Sequence, residues 1–190
     1  NNDLPFYKPD LHITIVDPHR AGHELRYYPG ETNLRMADVV VINKMDTAGM
    51  EKNNLTRNNV VAVNPKAVVV DAASPIFVDA PEKIRGKRVL VIEDGPTLTH
   101  GEMSYGAGYL AARKYGAREI IHPRDFAVGS IAATYAKYDH MLDILPAMGY
   151  GGQQIEDLEE TVARIDCDTV IIATPIDLNR VIDIKQDTVR

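Results

Sequence analysis

The tetrapeptide Asn43-Lys44-Met45-Asp46 carries the residue types needed to read a nucleotide base. The Asp46 carboxylate can accept from the ring N–H and the exocyclic amine of guanine, whereas adenine presents an acceptor at that ring position. The Lys44 stem can cover the plane of a base, and Asn43 can tie neighbouring loops together. A site built on such hydrogen bonds rejects a wrong partner, because buried polar groups are then left unpaired. A charged surface turn has the same composition, so the surroundings of the tetrapeptide decide between the two.

Those surroundings are two β-branched runs. Asp38-Val39-Val40-Val41-Ile42-Asn43 reads as a strand buried on both faces and feeds directly into the tetrapeptide. Ala67 to Asp71 reads as a second strand and runs into Asp71-Ala72-Ala73-Ser74, which resembles the second base-contacting loop of P-loop GTPases, where backbone N–H groups meet the base oxygen. Open α/β sheets bind ligands at the carboxyl ends of their strands, and both loops stand there. Asn43, Lys44, Asp46, Ala73 and Ser74 are therefore the candidate nucleotide-binding residues. A phosphate-binding G-x-x-x-x-G-K-[ST] loop does not occur. The one Gly-Lys pair, Gly86-Lys87, is followed by Arg88 and precedes a strand. The expectation is that such a loop lies upstream in a longer polypeptide, and that this chain alone binds a triphosphate weakly without hydrolysing it.

The elements that must position these loops alternate along the chain. Leu11 to Asp17 reads as a strand, punctuated by Pro18 and Gly22, and Asn33 to Ala37 as a short helical turn. After a Pro-containing boundary at residues 75–86, a second series begins. Arg88 to Glu93, Glu119 to His122, Met141 to Leu145 and Thr169 to Ala173 read as strands. Gly101 to Tyr115, Ile131 to Tyr138 and Gln153 to Ile165 read as helices, the last with Ile155, Leu158, Val162 and Ile165 at core spacing. The class is α/β with a mainly parallel sheet: residues 1–80 as the C-terminal half of a nucleotide-binding domain, residues 85–190 as a second α/β domain for substrate. A weak internal echo relates Asp38–Asp46 to Asp168–Asp177. Both read as Asp, a β-branched run and a loop ending in Asp, the common look of a parallel strand feeding a polar loop.

Composition narrows the function. The net charge of −6 argues against a broad nucleic-acid-binding face, and no apolar run approaches the length of a membrane span. The single Cys167 allows no disulfide within the chain and no cysteine-rich zinc site, which suits a reducing cytoplasm.

Several longer strings resemble the cyclic 2,3-diphosphoglycerate synthetases and their relatives, a group of P-loop NTPases. They are Asn1 to Asp10, Gly22 to Asn33, Glu93-Asp94-Gly95-Pro96-Thr97-Leu98-Thr99-His100-Gly101, Tyr105 to Gly108, Pro123-Arg124, Ala127 to Ile131, Leu145 to Tyr150 and Thr174 to Leu178. The Asn-Lys-x-Asp tetrapeptide is also the pattern of P-loop GTPases. The resemblance implies an ATP-dependent ligase that phosphorylates 2,3-diphosphoglycerate and closes a phosphoanhydride with loss of phosphate. It also implies Mg²⁺, a homodimer, and an N-terminal domain and phosphate-binding loop that this chain lacks. ATP is the nucleotide implied by the resemblance and GTP the one favoured by Asp46.

A multiply anionic substrate requires cationic donors. His19, Arg20, His23 and Arg26 in the first half, and His100 and Arg124 in the second, are candidates, with arginine the better bidentate partner of phosphate. Thr97, Thr99, His100 and Gly101 lie in a turn leading into a glycine-rich helix start, whose N–H groups suit an anion. Asp3 is the candidate Mg²⁺ ligand, one carboxylate sufficing when phosphates supply the rest. Asp3, His100 and Arg124 make up the candidate catalytic set. Two other readings stand beside the ligase: a GTPase of the metallochaperone type, and a non-catalytic nucleotide-binding or dimerisation module.

Overall fold

The computed structural model describes residues 6–26, 28–101, 103–141 and 143–190, with the side chains of Thr97 and His100 left out; Asp3 lies outside the described residues. The chain is α/β, and all its strand pairs are parallel. It divides into two compact units, Asn1–Pro75 and Ile76–Arg190.

In the first unit, β1 (Ile13–Val16), β2 (Val39–Ile42) and β3 (Val68–Asp71) form a sheet in that order. The register sets Val16 beside Ile42 and Ile42 beside Asp71, so the three strands end level with one another. Helices α1 (Gly30–Met36) and α3 (Met50–Val63) supply Leu34 and Val60 to a small core with Val16, Val40 and Ile42. The short α2 (Met45–Ala48) begins within the base-reading tetrapeptide and runs two residues past it. On the other face of the sheet Ile13, Ile15, Val68 and Val70 are exposed, and Val39 and Val41 half-buried. The expectation that β2 is buried on both faces therefore holds within this unit for one face alone.

Helix α3 is the longest element, and hydrophobic periodicity does not announce it. Its buried positions are Asn53, Thr56 and Val60, so the face turned inward is largely polar. Those amides work as clamps. Asn53 Nδ2 donates to the Met45 carbonyl at 2.9 Å, and Asn59 Nδ2 to Glu24 Oε1 at 2.7 Å. Asn64, just past the helix end, donates to the carbonyls of Leu34 and Ala37 at 2.9 and 2.8 Å, closing the C-terminal turn of α1.

In the second unit, β4 (Arg88–Asp94) pairs on one side with β7 (Thr169–Ala173), which pairs with β8 (Asp187–Val189). On its other side β4 pairs with β5 (Glu119–Ile120) at its start and β6 (Leu145–Ala147) at its end. Val89 to Ile92 are fully buried, the run of apolar side chains a doubly covered central strand requires. Helix α5 (Ala107–Lys114) packs on β4 and β7, while α6 (Gly129–Lys137) and α7 (Gly152–Ala163) pack on each other and deliver Ile131, Tyr135, Leu158 and Val162 to the same core.

Other elements differ from the expectation: β8 is not among the expected strands and β5 ends at Ile120 rather than His122. Gly101 to Tyr115 is not one helix: α4 (Gly95–Gly101) ends and α5 starts again at Ala107, because Gly106 lies against the Glu93 carboxylate. Strand β6 lies at Leu145–Ala147 rather than Met141–Leu145, its pairing beginning where Leu145 meets Ile92.

The internal echo has a structural basis. The Asp38 carboxylate accepts from the His12 N–H at 2.9 Å while the Asp38 N–H donates to the His12 carbonyl at 2.9 Å. Asp168 does the same with Arg88, at 2.8 and 2.9 Å. Each aspartate thus bridges the start of its strand to its parallel neighbour.

Asn64→Ala removes donors from two carbonyls, and the expected loss is about 1–3 kcal/mol of unfolding free energy in a denaturant titration. Asn54→Ala, on the exposed side of the same helix, is expected to stay within about 0.5 kcal/mol.

Candidate functional site

Three loops leave the carboxyl ends of β1, β2 and β3, and hydrogen bonds knit them together. The Ser74 N–H donates to Asp46 Oδ1 at 3.0 Å, and the Ser74 hydroxyl to Asn43 Oδ1 at 3.2 Å. The Met45 N–H donates to the Ala72 carbonyl at 3.1 Å and the Asn43 N–H to the Val16 carbonyl at 3.0 Å. The residues singled out for base reading, Asn43, Asp46 and Ser74, are thus joined in one cluster, with Ala73 exposed beside them. Asp46 is exposed. A carboxylate oxygen that accepts one N–H retains capacity for another, so the amide of Ser74 orients Asp46 without exhausting it.

Lys44 takes a left-handed backbone conformation, φ 60°, in which non-glycine residues are uncommon. Its Nζ lies 2.7 Å from Asp17 Oδ2. Asp17, on the loop after β1, also pairs with Arg20 at 3.3 Å and accepts from the His19 N–H at 3.0 Å. Burial works against the Asp17 charge, but the Lys44 ammonium, with Arg20 and the His19 N–H, outweighs it and holds the carboxyl below its usual range. The His19 ring meets the Thr47 hydroxyl at 2.9 Å, and burial ahead of its neighbouring charges lowers its pKa. Sequence reasoning named His19 and Arg20 but missed Asp17; the signal was the aspartate closing a strand, in the position Asn43 holds after β2. A carboxylate already paired with two cations is a poor ligand for Mg²⁺. Among the described residues no group of three or more His, Cys, Asp or Glu could hold a metal ion. His23 and Arg26 lie farther along the same connection, His23 half-buried in a turn at His23–Leu25 packed on α1 and α3, Arg26 exposed.

In the second unit the corresponding edge is formed by the loops after β4, β5, β6 and β7. Thr97, Thr99, His100 and Gly101 all fall on α4. Thr99 is buried and its hydroxyl donates to the Gly95 carbonyl at 3.1 Å; the side chains of Thr97 and His100 lie outside the described residues. The Arg124 guanidinium donates to the carbonyls of Tyr135, Asp139 and Met141 at 3.1, 3.4 and 3.4 Å and stacks 4.9 Å over the Tyr135 ring. It is committed to the chain's own backbone in this arrangement. The His140 ring reaches the Leu98 carbonyl at 3.2 Å, so α4 and Arg124 border the same segment, residues 139–141.

Glu93 is the unusual group at this edge. It is 2% exposed, and its Oε1 accepts from the Tyr109 N–H at 2.8 Å at the start of α5, while Oε2 has no partner. A Cβ at Gly106 would stand 2.4 Å from Oε2, so that close approach requires glycine. Burial raises the Glu93 pKa to about 7, against the lowering effect of the N–H groups of Tyr109, Gly106 and Gly108. The glycine-rich helix start expected to receive an external anion is thus already turned toward an internal carboxylate. Beside it Asp94 ends β4; burial, and with it the Asp94 charge, raises the pKa of Tyr150, which bonds Thr174 after β7.

The folded pKa of Glu93 lies above its unfolded value of 4.5. Its contribution to stability is therefore fully present below pH 4.5 and is lost as pH rises through about 7. Above that, keeping the buried carboxylate ionised costs on the order of 3 kcal/mol. Glu93→Gln is expected to melt at a higher temperature than the parent at pH 8, and the gap is expected to close as pH falls toward 4.5, measured by thermal scans across that range.

No family model matches the chain. It is similar to arginine synthetase ArcE of Thermococcus kodakarensis, with 62% identity over 190 residues, the whole of this chain and 42% of that protein. The chain thus spans 42% of the length of the curated relative it matches.

Proposed function

We propose that the chain belongs to a nucleoside-triphosphate-dependent synthetase, in which the loops of the first unit read the nucleotide base. The observation that carries this reading is the bridge from Ser74 to both Asp46 and Asn43, at the carboxyl edge of a parallel sheet. A ligand-binding edge of that kind is where open α/β sheets place their chemistry. Mg²⁺ comes with the nucleotide phosphates in this reading, and Asp3 is its candidate protein ligand. The nucleotide supplies a phosphoryl group, which turns a poor leaving oxygen on the second substrate into a phosphate that can be displaced.

The relative's name points to arginine as the product. A guanidinium is made from a ureido group by exchanging its oxygen for nitrogen, and phosphorylation is what allows that oxygen to depart. The cyclic 2,3-diphosphoglycerate reading needs the same first step, followed by attack from a neighbouring phosphate. The two differ in the charge of the substrate. Arg124 is held by backbone carbonyls and in this arrangement is not free for a phosphate, which favours a cationic or ureido group over a polyanion.

The test is product analysis with the intact protein. Citrulline and ammonium, or 2,3-diphosphoglycerate, are supplied with ATP or with GTP. The expected outcome is nucleotide-dependent arginine formation; the cyclic diphosphate as product selects the second reading, and nucleotide binding without turnover indicates a binding module. Asp46→Asn is expected to raise the KM of the nucleotide by about one to two orders of magnitude, as loss of a charge-assisted base contact does. An unchanged KM for both ATP and GTP removes Asp46 from the site.

A further inference from the structure

We propose that Asp17 is a positioning residue of the base-reading loop: it anchors the head of Lys44 so that the lysine stem forms a fixed apolar strip against one face of the base. The inference rests on the nucleotide-binding reading above and goes beyond the four-residue pattern, which does not contain Asp17.

The geometry assigns this role in three ways. First, β1 and β2 are adjacent and end level, Val16 opposite Ile42, so the loops carrying Asp17 and Lys44 leave the sheet side by side. Second, the pair is asymmetric. The Asp17 side chain is 10% exposed and that of Lys44 39%, with the ammonium and carboxylate 2.7 Å apart. The end of the lysine is tied down while 39% of its side chain stays exposed, which is compatible with a stacking surface. Third, the anchor is itself held. Asp17 Oδ1 accepts from the His19 N–H and Oδ2 also meets Arg20, while the His19 ring meets Thr47 at 2.9 Å, one helical turn past Lys44. The loop after β1 is therefore clamped to the base-reading loop at two points, at the lysine itself and at Thr47 three residues on.

The physical gain is preorganisation. A lysine stem has among the largest rotamer freedom of any side chain, and ordering it only when the base arrives weakens binding. An ion pair formed beforehand removes that loss. A purely structural ion pair would affect folding and leave the discrimination of base-containing ligands untouched, and this difference makes the idea testable.

The experiment uses the intact protein and compares Asp17→Asn, Lys44→Met and Asp46→Ala with the parent, each checked by thermal melt. Lys44→Met keeps an unbranched apolar stem and removes the head, so it decides the matter if Asp17→Asn does not fold. Both anchor variants are expected to raise the KM and Kd of the nucleotide about tenfold. The kcat at saturation, the KM of the second substrate and the inhibition constant of inorganic triphosphate, which has no base, are expected to stay within about twofold. If Asp46→Ala weakens nucleotide binding but Lys44→Met does not, the positioning role is overturned while the base-reading site stands. Equal weakening of inorganic triphosphate also overturns it, because the pair then serves phosphates or overall integrity. If Asp46→Ala leaves nucleotide affinity unchanged, the base-reading site itself fails, and the role of Asp17 with it.

Discussion

A parallel sheet sends every strand to the same edge, and most of what this chain can do follows from that constraint. In the first unit the register makes β1, β2 and β3 end level, so three loops emerge as a row. Asp17, Asn43 and Ser74 each follow a strand by one to three positions, close enough for short polar side chains to reach across. The hydrogen bonds from Ser74 to Asp46 and Asn43, and from Lys44 to Asp17, are consequences of that alignment. Had the strands been antiparallel, the same residues would be divided between opposite edges.

The two units use their edges differently. In the first, the part-buried Asp17 carboxylate is paired with lysine and arginine. In the second, the buried Glu93 has no cation against it among the described residues. Its carboxylate meets N–H groups at the start of α5 and burial raises its pKa to about 7, so that helix start is turned toward a carboxylate of its own chain. The contrast explains why the glycine-rich segment at residues 101–108, which suggests phosphate binding when read as a string, has a different role once β4 is beneath it.

Much of the architecture was legible in the sequence because apolar runs are local. Strands β2, β3, β4 and β7 are β-branched stretches that pack as such, and α7 shows its spacing plainly. Helix α3 was not legible, because its inward face carries Asn53 and Thr56, whose amide and hydroxyl make it look solvent-facing. The cluster around Asn43, Asp46 and Ser74 could be named from residue type and position after a strand. Asp17 was marked only by closing a strand, since its partner lies 27 residues away and the string Asp17-Pro18 by itself does not distinguish a turn from an anchor. Arg124 shows the converse difficulty: its chemistry suits phosphate, but the carbonyls that occupy it come from residues 135, 139 and 141 and emerge only with the tertiary fold.

The paired aspartates Asp38 and Asp168 carry a wider consequence. Each fastens the beginning of one strand to the beginning of its neighbour, at the edge away from the loops that could bind anything. Sliding either strand by one residue would break that fastening and turn its apolar set outward. Alignment is thus decided at the end of the sheet that performs no chemistry. The opposite end is released from that duty, so substitutions there can change what is recognised while the sheet beneath keeps its registration.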